Sequence, residues 1–140
     1  MTRYLYTLGI IAIASALFLV VYVAYLLFYP FPTITISEAT VLTKEVKAGG
    51  NILYKVTYCK YTDSPATVYR TFHLIDESVS VPTPAVQTIS KLGCNVVQIP
   101  LATFETMPKG EYYLYVDIEI KKNPIRIIHT TFETDTFEVI

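Results

Sequence analysis

Tryptophan is absent from this chain, and cysteine, histidine and methionine are nearly so. Charge is scarce too: 16% of residues are charged, with a formal net charge of -1. Each shortage excludes something. Nucleic-acid binding calls for a basic stripe and adsorption to anionic lipid for a polybasic cluster, and the sequence has neither. Cys59 and Cys94 form no CxxC pair, so no attacking and resolving thiols stand together. His73 and His129 bring the Cys/His total to the number zinc prefers, yet no two of these residues have short ligand spacing, which favours ordinary surface histidines. Ser15, Ser37, Ser64, Ser78, Ser80 and Ser90 include no GxSxG elbow, and Gly49-Gly50 is followed by no GK[ST]. Asp117 and Glu119 lie two apart on one strand face and Asp76-Glu77 adjoin at a turn; solvated β-surface is the simpler reading for both, with calcium ligation an alternative for Asp76-Glu77. The sequence therefore predicts no catalytic residues, no cofactor and no metal.

What is abundant is apolar and aromatic. Leu8 to Phe28 runs without a charge, and as a helix it would extend about 30 Å, the thickness of a hydrocarbon core. A secretory signal would have a shorter apolar stretch and a small-x-small cleavage site after it. Here Ala12, Ala14 and Ala16 lie inside the run, so an uncleaved signal-anchor is expected. Arg3 precedes the run, and no Lys or Arg follows until Lys44 and Lys47. The positive-inside tendency then places residues 1–7 as a short cytoplasmic tail and the C-terminal bulk outside the cytoplasm, periplasmic or extracellular. Gly9, Ala12, Ser15 and Ala16 are small enough for lateral helix contact, but no GxxxG is present, and no ionisable residue in the run points to a pore. Residues 29–32, with Pro30 and Pro32, stop the helix and read as a stiff linker.

Residues 33–140 show a period of two. Strands are predicted at 33–42, with a bulge at Ser37-Glu38, then at Ile52–Cys59, Ala66–Ile75, Asn95–Phe104, Tyr112–Ile120, 125–134 and 137–140. Short edge pieces are predicted within 76–92, where Pro82 and Pro84 prevent a long strand. Turns are marked by Gly49-Gly50, by Thr62 to Pro65 and by Met107 to Gly110. The expected architecture is all-β, an antiparallel sandwich of about seven strands behind one transmembrane helix, with a barrel as the alternative.

Pro108-x-Gly110-x-Tyr112-x-Leu114 is similar to the approach to the penultimate strand in immunoglobulin-like and fibronectin-like β-sandwiches, and Thr134-x-x-Phe137-x-Val139 resembles the way such domains finish. The resemblance implies that Gly110 is the turn residue and Tyr112 a corner tyrosine. The chain departs from the antibody pattern in lacking tryptophan and in placing Cys94 before the fifth strand. Outside the cytoplasm, Cys59 and Cys94 are expected to form a disulfide, with Cys94 in a loop; in an inverted topology they would be free thiols. Tyr113 and Tyr115 share a strand face with Asp117 and Glu119, and Tyr69 falls near them, so the three tyrosines read either as a binding face or as ordinary cross-strand pairing. The leading functional expectation is a non-enzymatic, single-pass membrane module for protein–protein contact, touching lipid through residues 8–28. The alternatives are a structural subunit that self-associates through an edge strand near 76–104, and an enzyme or a small-ligand or metal-binding domain with a loop-built site.

Overall fold

Among the described residues of the computed structural model, a single helix, α1 (Thr2–Phe28), precedes ten strands. The structure describes residues 2–30, 32–76, 79–88 and 90–140, with the side chains of Thr2 and Arg3 outside that set. The orientation signal at Arg3, Phe31 in the linker, Glu77 of the acidic pair and Ser78 thus fall outside the described residues. Two compact units emerge: residues 1–31 with 123–126, and residues 32–122 with 127–140.

In the first unit, α1 takes in residues 2–7 as well as the apolar run, and Tyr4–Phe28 is long and apolar enough to cross a membrane. The Ser15 hydroxyl donates to the Ile11 carbonyl at 2.8 Å, which satisfies a polar group within the helix itself. A helix leaves its last carbonyls without internal donors. Here Asn123 Nδ2 donates to the Leu26 carbonyl at 2.9 Å, and Arg126 Nη1 to that of Tyr29 at 3.0 Å.

The second unit is two packed sheets. One has the order β1 (Ile34–Val41), β3 (Asn51–Lys60), β7 (Gly93–Ala102), all antiparallel. The register of β1 on β3 slips between Ile36 and Glu38, at the expected bulge. The other has the order β2 (Glu45–Val46), β10 (Phe137–Val139), β8 (Gly110–Asn123), β4 (Ala66–Leu74), β5 (Ser80–Pro82). In addition, β6 (Val86–Thr88) pairs with β4, and β9 (Arg126–Glu133) with β8. β2 runs parallel to β10, whereas β10 on β8 and β4 on β5, β6 and β8 are antiparallel.

The period-two alternation buries one face of each long strand. Ile52, Tyr54, Val56 and Tyr58 of β3 meet Val68, Phe72 and Leu74 of β4 and Tyr112 to Ile120 of β8 in one core. Phe72 meets Phe104 and Phe137 edge-on, an arrangement favoured by ring quadrupoles. One expectation is corrected. Cys94 lies in β7 and not in a loop, because its strand begins at Gly93. β9 and β10 are separate strands, in line with the pattern at 125–134 and 137–140, and at the break between them the Thr134 hydroxyl accepts from the Leu114 N–H at 3.1 Å.

Candidate functional site

The β4–β8 register decides what reaches the outer face of the larger sheet. Tyr69 stands opposite Asp117, Thr71 opposite Tyr115, His73 opposite Tyr113, and Thr67 opposite Glu119. Since side chains alternate, Tyr69, Thr71 and His73 emerge on the same side as Tyr113, Tyr115, Asp117 and Glu119. The His73 ring stacks on Tyr113 with centroids 5.2 Å apart and meets Tyr115 edge-on at 6.0 Å. From β9, His129 Nδ1 approaches the Asp117 carboxylate at 3.2 Å. The charge of Glu119, and then its hydrogen bond to the phenol, raise the Tyr69 pKa above the ordinary tyrosine value. Tyr69, Tyr113 and Tyr115 are thus brought into one patch of rings and carboxylates.

Acidity continues along this sheet. Glu45, Glu138 and Glu111 stand side by side across β2, β10 and β8, all exposed. Like charges directly opposite one another oppose pairing.

At the end of the sandwich, the Tyr112 hydroxyl donates to the Pro108 carbonyl at 2.9 Å while its ring is fully buried against Phe137. Gly110 has φ +153°, a backbone conformation that favours glycine, and a Cβ there would stand 2.6 Å from Leu74 Cδ1 and displace the end of that side chain. Cys59 and Cys94 are joined by a disulfide between directly paired positions of β3 and β7, within one sheet, on its outer side. They are therefore not free to ligate zinc with His73 and His129. Asp76 lies exposed just after β4.

Sequence reasoning passed over a second feature. Arg70 occupies the inward parity of β4, between Val68 and Phe72, and is only 9% exposed. Its Nε donates to the Tyr54 hydroxyl, 2.8 Å away on β3 of the opposite sheet. Burial raises the Tyr54 pKa, and the charge and hydrogen bond of Arg70 offset part of that rise. Both residues line a cavity of about 520 Å³ between the sheets, its walls mostly aliphatic and Lys91 and Asn95 among its polar groups. Lys60, also inward on β3 and 1% exposed, donates to the Ser90 carbonyl at 3.3 Å. The signal available in the sequence was a charged residue at a position where Ala66, Val68, Phe72 and Leu74 set an apolar face.

No known protein family matches the chain, and no curated protein matches it. Among solved structures, the chain is similar to Spo0M, a sporulation control protein from Bacillus subtilis, with 9% identity, a TM-score of 0.47, and coverage of 78% of this chain and 50% of that one. It is also similar to a family 123 glycoside hydrolase from Clostridium perfringens, with 11% identity, a TM-score of 0.44, and coverage of 77% and 27%. A third is the alkylpurine DNA glycosylase AlkC from Pseudomonas fluorescens, with 13% identity, a TM-score of 0.43, and coverage of 73% and 30%. The chain spans half or less of the length of each. The likeness is one of generic β-architecture.

Proposed function

We propose that the chain is a membrane-anchored, immunoglobulin-like recognition module whose outer β4–β8–β9 face binds a cationic surface on a partner protein. The β1–β3–β7 and β10–β8–β4–β5 orders support this reading as counterparts of the A-B-E and G-F-C-C′ sheets, as does the Tyr112 hydroxyl, which reaches back to Pro108 in the manner of a corner tyrosine. The disulfide within one sheet departs from the inter-sheet bridge of antibody domains. The observation that carries the binding role is the convergence of Tyr69, Tyr113 and Tyr115 with Asp117 and Glu119 on one outward face. Tyrosine rings bury much area at small entropic cost and receive arginine or lysine side chains on their faces, while the carboxylates supply the complementary charge. The helix holds this face at a membrane, with the domain on the extracytoplasmic side. Edge-strand self-association is disfavoured by Pro100 in β7, an outer strand of its sheet, because proline offers no donor to a new neighbour.

A photoreactive side chain placed at Tyr115 in the native membrane tests this reading. We expect one discrete crosslinked protein, absent when the probe stands at Gln98 on the outer side of the other sheet, and lost with Glu119→Lys. Equal crosslinking from both positions, or none from Tyr115, would overturn the role.

A further inference from the structure

Arg70 is hard to explain as core. A guanidinium has five N–H donors, keeps its charge at all physiological pH values, and is costly to remove from water without an anion beside it. Arg70 is 9% exposed, and the one hydrogen-bond partner of its side chain among the described residues is the neutral Tyr54 hydroxyl, which accepts from Nε. No carboxylate lies within ion-pairing reach among the described residues; Lys44, Lys55 and His129 make the three ion pairs seen there. The fork formed by Nη1 and Nη2 is the part of arginine that matches a carboxylate with two parallel bonds.

Arg70 lines the inter-sheet cavity together with Tyr54. About 520 Å³ lies within the range of small-molecule sites, about 300–1,000 Å³. The walls are aliphatic and aromatic: Ile36, Val56 and Val97 from one sheet, Val68, Ile118 and Phe132 from the other. Lys91, exposed, marks the rim. An occupant must therefore be largely hydrocarbon and carry one negative charge. A hydrocarbon alone would leave the guanidinium unpaired, and a small inorganic anion would leave the apolar walls unfilled. We infer that the cavity binds a long-chain fatty acid, its carboxylate on the Arg70 fork and its acyl chain between the two sheets. The Tyr54 hydroxyl, having accepted from Nε, still has its own proton to donate to the same carboxylate. A single buried arginine balances the single charge of a carboxylate better than the larger, more strongly hydrated head of a phospholipid. This site is separate from the outer face and does not depend on it.

The test uses the full chain purified in a nonionic detergent, with palmitate as the probe and hexadecanol as its neutral counterpart. Saturable palmitate binding is expected, with hexadecanol weaker by about ten- to a hundredfold, the loss of a charge-assisted hydrogen-bond pair. Arg70→Met removes the unpaired charge and keeps much of the side-chain volume, so it should fold at the cost of the hydrogen bond to Tyr54. It should bind the two ligands alike. A diazirine-bearing palmitate should label peptides from β3, β7 or β8. Native mass spectrometry of protein extracted from membranes should find a fatty-acid mass on the wild type and none on the variant. Labelling confined to residues 2–28, equal affinity for palmitate and hexadecanol on the wild type, or unchanged palmitate preference in Arg70→Met would overturn the assignment. So would a co-purifying phospholipid in place of the fatty acid. If Arg70→Met fails to fold, the palmitate–hexadecanol comparison and the labelling map on the wild type decide the matter.

Discussion

Asp135 is one carboxylate that ties two sheets together. It sits in the break between β9 and β10, accepts the Val41 N–H of β1 through one oxygen, and takes Lys44 through the other. Burial pushes its pKa up, but the Lys44 hydrogen bond, the Val41 N–H and the Lys44 charge together outweigh that and hold it below the ordinary carboxylate value. A depressed folded-state pKa means the carboxylate stabilises the fold above its unfolded pKa, about 3.9, and that this contribution is lost as pH falls through the lower folded value. With the side chain 41% exposed, solvent screening keeps the effect modest. Asp135→Asn should therefore cost about 1 kcal/mol at neutral pH in a urea titration of the full chain. The gap to the wild type should close below about pH 4; a gap independent of pH would show that the charge is irrelevant. Asp135 was not legible in the sequence, because its partners lie far away along the chain. Arg70 was half legible: its parity in β4 is visible, but its partner Tyr54 is named only by the packing of one sheet on the other. Gly110 and Tyr112 were easier to read, since the contacts that define them lie within a few residues or on the adjoining strand.

At the scale of elements, strands were readable where alternation ran long. β3, β4 and β8 each keep one face apolar over most of their length, so period two was unmistakable. β2 escaped notice because two residues carry no period, and it exists as a strand only through its parallel pairing to β10. Cys94 read as loop because Gly93 precedes it, yet its position is set by the whole β3–β7 ladder, which runs in register from Asn51↔Ala102 to Lys60↔Gly93. The disulfide closes that ladder at its far end, with a sequence separation of 35. A loop of that size implies a stabilisation of about 3–4 kcal/mol, arising mainly from the constrained unfolded chain. Replacing both cysteines with alanine should thus lower the denaturation midpoint markedly while leaving the β-sheet circular dichroism unchanged, and adding reductant to the wild type should reproduce most of the shift. A double variant as stable as the wild type would mean that the ladder alone already restricts the unfolded state.

At the scale of the molecule, the chain combines one helix long enough to span a bilayer with a β-domain whose cysteines are oxidised. These two properties are linked by compartment, because disulfides persist outside the reducing cytoplasm. If the domain lies on the extracytoplasmic side, a protease added from that side of sealed membranes should digest a C-terminal epitope and spare an N-terminal one. A maleimide should label neither Cys59 nor Cys94 until reductant is added. The proposed orientation is argued from the charge difference across the apolar run, with Arg3 on one flank and Lys44 the first base beyond it. Arg3→Glu should therefore place a measurable fraction of molecules in the reverse orientation, their C-terminal epitope now protected. In that fraction, and only there, both cysteines should react with maleimide without reduction. Reversed molecules that remain unlabelled would separate the disulfide from the compartment, and a strictly unchanged orientation would show that the span is oriented by something other than its flanking charge.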